Sequence, residues 1–163
     1  MQSELNLSSP TQDELAAWRL FLESASALID ILDAELQEQS GISLRWYDVL
    51  VHLEEAPDGR LRMNELARQI VASKSGLTRV VDGMERAGLV QRERPASDRR
   101  VIEVVATPKG LEVLGAARPP HRDALQRHFA RHLDNQDVKA LARALRKVRD
   151  EVRPLRAAQI GGS

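Results

Sequence analysis

The chain of 163 residues contains no cysteine. That absence excludes disulfide frameworks, Cys-ligated zinc, iron–sulfur clusters and thiol redox sensing together. No apolar run approaches the roughly 18 residues that a membrane helix requires. The first residues, MQSELNLSSP, lack the basic-then-apolar order of a signal peptide. The expectation is a cytoplasmic protein without membrane contact. No phosphate loop, Gly-x-Ser-x-Gly elbow or dinucleotide fingerprint occurs, so no catalytic residue and no cofactor is assigned and the chain is not read as an enzyme. Aromatic residues amount to only 3%. The length fits one domain at roughly 100–200 residues per domain, and 42% hydrophobic composition suffices for a core without staples.

Net charge is also missing: 24 basic and 24 acidic side chains cancel. The distribution is far from even. Residues 1–59 carry 2 basic and 12 acidic groups, residues 60–107 carry 10 and 6, and residues 108–163 carry 12 and 6. Twenty of the cations are arginine and four are lysine, a bias toward the planar donor that suits phosphate and guanine. A basic middle beside an acidic first third is the asymmetry that bears on function.

Residues 1–10 are polar and aperiodic and read as a tail, and residues 157–163 read as a second one. Between them lie N-terminal helices (11–59), a middle region of different character (60–107) and C-terminal helices (108–156). Thr11-Gln12-Asp13-Glu14 has the capping-box form. After it Leu15, Trp18, Leu22, Ala25, Ile29, Leu32 and Leu36 recur at three and four, the narrow seam of a helix that packs on another long helix. Gly41 ends that helix, and a second is expected from Ser43 to Glu55, with Leu44, Tyr47, Leu50 and Val51 inward. Pro57-Asp58-Gly59 is a turn. Thr107 as N-cap and Pro108 at N1 open another helix, which Pro119-Pro120 is expected to break near Arg118. A last helix starts at Asp134, with Val138, Leu141, Leu145, Val148 and Val152 again stepping by three and four. Seams this narrow at both ends of the chain point to helix exchange between subunits, a homodimer.

Residues 60–107 differ in character. Met63, Leu66, Ala67 and Ile70 form one short helical face; Ser73 is an N-cap type, and a second helix runs to about Arg86. Two short helices joined by a tight turn make a helix-turn-helix. Leu77, Val80, Val81 and Met84 fall on one side of the second helix, with Ser75, Thr78, Arg79, Asp82 and Arg86 on the other. Hydroxyls and arginines presented from the first turns of a surface helix suit base edges in a major groove. Gly88 sits at a helix C′ position, and Leu89–Arg94 and Val101–Ala106 read as two strands of a hairpin. Its tip, with Asp98, Arg99 and Arg100, is a minor-groove probe, with Asp98 orienting Arg100 by an ion pair. Phosphate contacts are assigned to Lys74, Arg79, Arg92, Arg94 and Arg99, and sequence choice to Ser75, Thr78 and Arg79.

Asn64-Glu65-Leu66-Ala67, the run Ser73-Lys74-Ser75-Gly76-Leu77-Thr78-Arg79-Val80-Val81-Asp82, Ala87-Gly88-Leu89-Val90 and Asp98-Arg99-Arg100, then Thr107-Pro108-Lys109-Gly110, together resemble the MarR family of bacterial winged-helix transcription regulators. The similarity spans about 12–153 and is strongest over 61–110. Val71 stands where many members have a turn glycine, and Arg62 replaces the usual capping hydroxyl. The resemblance implies a mainly α fold with a small β-hairpin wing, a winged helix-turn-helix in an intertwined homodimer. It further implies a recognition helix from Ser73 to Arg86, a wing tipped by Arg100 and a pseudo-palindromic double-stranded DNA target. The expected activity is that of a repressor released by a small aromatic or lipophilic molecule bound between the dimer and DNA-binding layers.

Two other chemistries are open to these residues. His121, His128 and His132 share one side of a continuous helix, and imidazoles at i and i+4 can chelate zinc; with no cysteine to assist, pairing with carboxylates at a dimer interface is the preferred reading and no metal is assigned. Trp18, Trp46, Tyr47 and His52 could line an apolar cleft for the effector, although core packing accounts for them equally. A zinc-responsive regulator of the same fold and a helical dimeric scaffold without DNA binding stand as alternatives.

Overall fold

The computed structural model describes residues 9–70, 74–95, 98 and 100–161, with backbone alone at 74, 75 and 156–161. Helix α1 (Gln12–Ser40) opens on the expected capping box: the Thr11 N–H donates to Glu14 at 2.7 Å and the Glu14 N–H donates to Thr11 Oγ1 at 3.2 Å. It ends at Gly41, whose φ of 69° is left-handed backbone that glycine adopts without strain. Helix α2 (Leu44–Glu55) is capped by Ser43, which accepts from the Trp46 N–H. Strand β1 (Arg60–Arg62), α3 (Met63–Gln69), α4 (Lys74–Arg86), β2 (Val90–Glu93) and β3 (Glu103–Ala106) follow. Helix α5 (Pro108–His128), a single 3-10 turn (Ala130–His132) and α6 (Asn135–Gly161) complete the chain.

The wing is a three-stranded antiparallel sheet in the order β1-β3-β2, where a two-stranded hairpin was expected. Arg60 pairs with Val105 and Arg62 with Glu103, so β1 adds to the free edge of β3. The two anticipated strands are shorter than Leu89–Arg94 and Val101–Ala106. Where Glu93 and Glu103 face each other in register, like charges would repel. Arg60 Nη1 sits 3.2 Å from Glu93 and 3.4 Å from Glu103 and offsets their repulsion.

The core lies where α2, α3, α4, the sheet and the first half of α5 converge. Leu50, Leu53, Leu66, Leu77, Val81, Met84, Val104 and Leu114 are fully enclosed there, each contributing about 1.5–3 kcal/mol of burial. The apolar sides read from the periodicity of α3 and α4 are the sides that enter it. On α2 the most buried positions are Val49, Leu50 and Leu53, with Leu44, Tyr47 and Val51 half-buried around them.

Pro119 and Pro120 do not break α5, contrary to expectation; the helix is continuous from Pro108 to His128 and ends at Phe129. Each proline removes an N–H that would have bonded four residues back. The carbonyls so released belong to Gly115 and Ala116, both exposed, and water can satisfy them. Buried Leu114, Ala117 and Ala124 hold the opposite side of the helix on the core, and Arg118 pairs with Glu54 of α2.

Asp134 caps α6, accepting from the N–H groups of Gln136 at 2.6 Å and Asp137 at 2.8 Å. The helix continues through Pro154 to Gly161, past residue 156, over Leu155-Arg156-Ala157-Ala158, which are strong helix formers. Helix α5 packs along α1 and α2, whereas α6 returns to the body at α3. Leu32 and Leu36, at the C-terminal end of the α1 seam, are buried against the body, but most of the remaining seam positions on α1 and α6 are left uncovered by the described residues. Leu15, Trp18, Leu22 and Ile29 on α1 and Val138, Leu145, Val148 and Val152 on α6 are all exposed, Val148 by 58%. No helix among the described residues is long and apolar enough to cross a membrane.

Candidate nucleic-acid interface

Helix α4 turns Leu77, Val81 and Met84 into the core and leaves Thr78, Arg79 and Arg86 exposed. Among the described residues, neither Arg79 nor Arg100 takes part in an ion pair with a carboxylate. Ser73 and Arg99 lie outside the described residues, as do the side chains of Lys74 and Ser75 and the expected turn at Val71. The polar face of α4 is thus defined by Thr78, Arg79, Asp82 and Arg86.

Asp82 and Arg92 come together directly. Arg92 Nη2 lies 2.6 Å from Asp82 Oδ1 and Nη1 lies 2.6 Å from Glu85 Oε2. The Arg92 backbone N–H also donates to Glu85 Oε1 at 3.0 Å. Desolvation pulls the guanidinium pKa down, but the hydrogen bonds to Asp82 and Glu85 outweigh it and hold the group above its ordinary range. This clamp bolts β2 to α4. Glu85 was not singled out from sequence; the available signal was a second carboxylate three residues after Asp82, on the same helical face.

At the wing tip, Asp98 meets Arg100 through the backbone. Its Oδ1 accepts from the Arg100 N–H at 3.0 Å, a turn-closing bond in place of the expected carboxylate–guanidinium pair. The Asp98 N–H donates to the Pro95 carbonyl at 3.2 Å and the Val101 N–H to the Asp98 carbonyl at 3.1 Å, which closes the loop. Arg94 and Arg100 are exposed on either side of it.

The other end of α4 is tied to α5. Gly88, at φ 73°, turns the chain so that the Leu89 N–H donates to the Met84 carbonyl at 2.9 Å. Thr107 Oγ1 donates to the Gly88 carbonyl at 2.7 Å while accepting from the Gly110 N–H at 3.0 Å. Lys109 Nζ donates to the Ala87 carbonyl at 2.8 Å, placing a cation at the negative end of the α4 dipole. The carbonyls of Gly83, Met84 and Glu85 that end α4 accept from the N–H groups of Ala87, Leu89 and Gly88, and the first turn of α5 bonds the two carbonyls that follow the helix.

A second feature is a cleft of about 600 Å³ between α1, α2 and α5, lined by Ile29, Asp30, Asp33, Leu44, Tyr47, Asp48 and His121 among others. Of the four ring residues considered for a ligand, only Tyr47 lines it. The His121 ring packs on it at 4.5 Å between centroids. Trp46 instead lies against α4, where a Cβ at Gly83 would come within 3.2 Å of its ring. His52 pairs with Asp48 at 3.6 Å along α2. Trp18 is 55% exposed near the start of α1, stacked on Phe21 at 6.0 Å. Inside the cleft, burial raises the Asp48 carboxyl against the pull of His52, and burial lowers the His121 imidazole. His121 Nδ1 is enclosed without a hydrogen-bond partner.

The three C-terminal histidines do not converge. His121 faces Tyr47, His132 sits in the 3-10 turn, and His128 Nε2 lies 2.7 Å from Glu35 of the same chain, which Arg127 also contacts at 2.5 Å. The bond from His128 is the main cause that lowers the Glu35 carboxyl pKa. The carboxylate partner of His128 is intramolecular, from α1. Among the described residues no group of three His, Cys, Asp or Glu side chains could hold a metal ion.

Two short helices with the second exposed, followed by a wing sheet, define a winged helix-turn-helix. The profile of the MarR family matches residues 40–101. Sco3205, a MarR family transcriptional regulator from Streptomyces coelicolor solved in complex with DNA, is 35% identical. That match covers 88% of this chain and 94% of Sco3205, with a TM-score of 0.82. AbsC, another MarR family regulator of that organism, is 36% identical over 90% of this chain and 99% of its own, with the same TM-score. The Escherichia coli K12 transcriptional repressor MprA is 29% identical over 112 residues, which are 69% of this chain and 63% of MprA. The match thus spans less than two thirds of that relative's length. The chain belongs to the MarR family, whose members here are transcriptional regulators and not enzymes.

Proposed function

We propose that the protein is a cytoplasmic homodimeric repressor that binds a pseudo-palindromic duplex through α4 and the wing and is released by a small molecule. The observation that carries the reading is the exposed polar face of α4, with Thr78 and Arg79, in a chain whose whole-length relative Sco3205 was crystallised on DNA. Arg79 reads guanine in the major groove, Arg94 and Arg99 meet phosphates, and Arg100 enters the minor groove. Two copies of α4 must meet successive major grooves, about 34 Å apart. The unpartnered seams of α1 and α6 supply the dimer interface that sets this spacing. The acidic N-terminal third and the basic C-terminal third are complementary in charge, which favours α1 of one protomer beside α6 of the other.

Electrophoretic mobility shift and footprinting on the region upstream of the protein's own gene test this. Binding should fall steeply with salt, and Arg79→Ala should cost about 1–3 kcal/mol and relax the preference at one base pair per half-site. Equal affinity of the wild-type protein for all duplexes would refute sequence-specific recognition. For the effector, the cleft floored by Tyr47 and His121 is the receiving site. A panel of aromatic acids and lipophilic drugs should contain compounds that raise the melting temperature and weaken DNA binding, since a ligand acts only through differential affinity for the non-binding state. A panel that changes neither quantity removes the effector from the proposal.

A further inference from the structure

On the exposed side of α4, Thr78, Asp82 and Arg86 follow one another at one-turn intervals, and Glu85 lies beside them. A helix that approaches a duplex with this face brings two carboxylates toward the phosphates. Both terminal nitrogens of Arg92 are bonded to those carboxylates at 2.6 Å, its backbone N–H is bonded to Glu85, and its side chain is only 23% exposed. To reach a phosphate it would have to release two charge-assisted bonds, which are the strong kind. Arg86 adds a second cation here, its Nε donating to the Asp82 carbonyl at 3.2 Å. The four side chains together sum to zero.

We propose that Arg92 is a charge mask and a positioning residue: from β2 it neutralises Asp82 and Glu85 on the DNA-facing side of α4, and it makes no phosphate contact of its own. The two carboxylates in turn fix the wing to the recognition helix, so the same ion-pair cluster sets the geometry of the binding surface and removes its repulsion. This inference rests on the DNA-binding reading and names the role of a residue that sequence alone assigns to phosphate.

The test uses the full chain and a fluorescein-labelled random-sequence duplex of about 30 base pairs, roughly three helical turns, with anisotropy read across a salt titration. Arg92→Ala should weaken binding about tenfold at low salt through two uncovered charges, a loss that shrinks as added salt screens them. Adding Asp82→Asn and Glu85→Gln should bring affinity back to within about threefold of wild type. A loss that persists undiminished at high salt, or a triple variant no better than Arg92→Ala, overturns the mask. Should the alanine variant not fold, Arg92→Lys decides: lysine keeps a point charge for a phosphate but cannot span both carboxylates. Weakened binding by Arg92→Lys supports the mask and wild-type binding overturns it. Failure of the wild-type chain to bind the duplex at any salt refutes the DNA-binding reading, and this inference with it.

Discussion

Gly110→Ala tests the junction that ties α4 to α5. Gly110 is buried in the first turn of α5, and a Cβ added there would stand 2.1 Å from the Leu89 carbonyl oxygen and 3.2 Å from Leu50 Cδ2. The carbonyl is backbone, so relief requires α5 to retreat from the α4–β2 corner by about 1 Å. That retreat strains the 3.0 Å bond from the Thr107 N–H to the same carbonyl, worth about 1 kcal/mol. Overpacking at a closed site adds about 1–3 kcal/mol, for a total of roughly 3 kcal/mol. At about 2–4 °C per kcal/mol for a chain of this size, the melting temperature should fall by roughly 6–12 °C. Calorimetry at one fixed protein concentration reads it, because the melting temperature of the proposed dimer would depend on concentration. Gly115→Ala, in open space on the same helix, is the control and should be neutral or slightly stabilising. A Gly110→Ala protein that melts within about 2 °C of wild type would show that α5 is free to slide at this corner.

Other perturbations probe other links. Val148→Glu places a charge in the exposed seam of α6 and should cost the proposed dimer about 3 kcal/mol or more, read as monomer by light scattering at micromolar concentration; a dimer that forms unchanged would exclude this seam from the interface. Asp33→Ala removes the acceptor of the Leu44 N–H at 2.6 Å and should cost about 1 kcal/mol as a lost cap, measured by urea unfolding; no loss would mean that Ser43 alone fixes the start of α2. Acid should destabilise the fold in two stages. His121, lowered by burial, takes up a proton more readily when unfolded, so its contribution is present above the ordinary value of 6.5 and is lost as pH falls below it. Glu35, lowered chiefly by its bond from His128, contributes above its ordinary 4.5 and loses that contribution as pH falls further. In melting temperatures measured from pH 8 to 4, His121→Gln should abolish the upper stage alone; persistence of that stage would assign it to another group.

Elements whose causes lie within a turn or two of sequence were readable from it. The Thr11–Glu14 box, the glycine stop at residue 41, the helix starts near Ser43 and Asp134 and the apolar side of α4 are local decisions of hydrogen bonding and period, and the structure contains each of them. The failures share a physical origin in partners distant along the chain. Strand β1 is three residues long and exists because β3, more than forty residues on, offers it an edge. Pro119 and Pro120 carry a strong local instruction to break, which packing of Leu114, Ala117 and Ala124 overrides because the orphaned carbonyls face solvent. The ion pairs of Arg92 were not legible because both of its partners sit on another element, and a charge counted in a sequence carries no information on which carboxylates it meets. The cleft needed three helices brought side by side, so among the ring residues only Tyr47 could be assigned to it, while Trp18 and Trp46 satisfy the same compositional description at positions that packing sends elsewhere. The family was readable further than the geometry because the ordered series from Asn64 to Gly110 joins several such local decisions, each needed to hold an exposed helix beside a wing, and the matches to Sco3205 and AbsC extend over 88% and 90% of this chain.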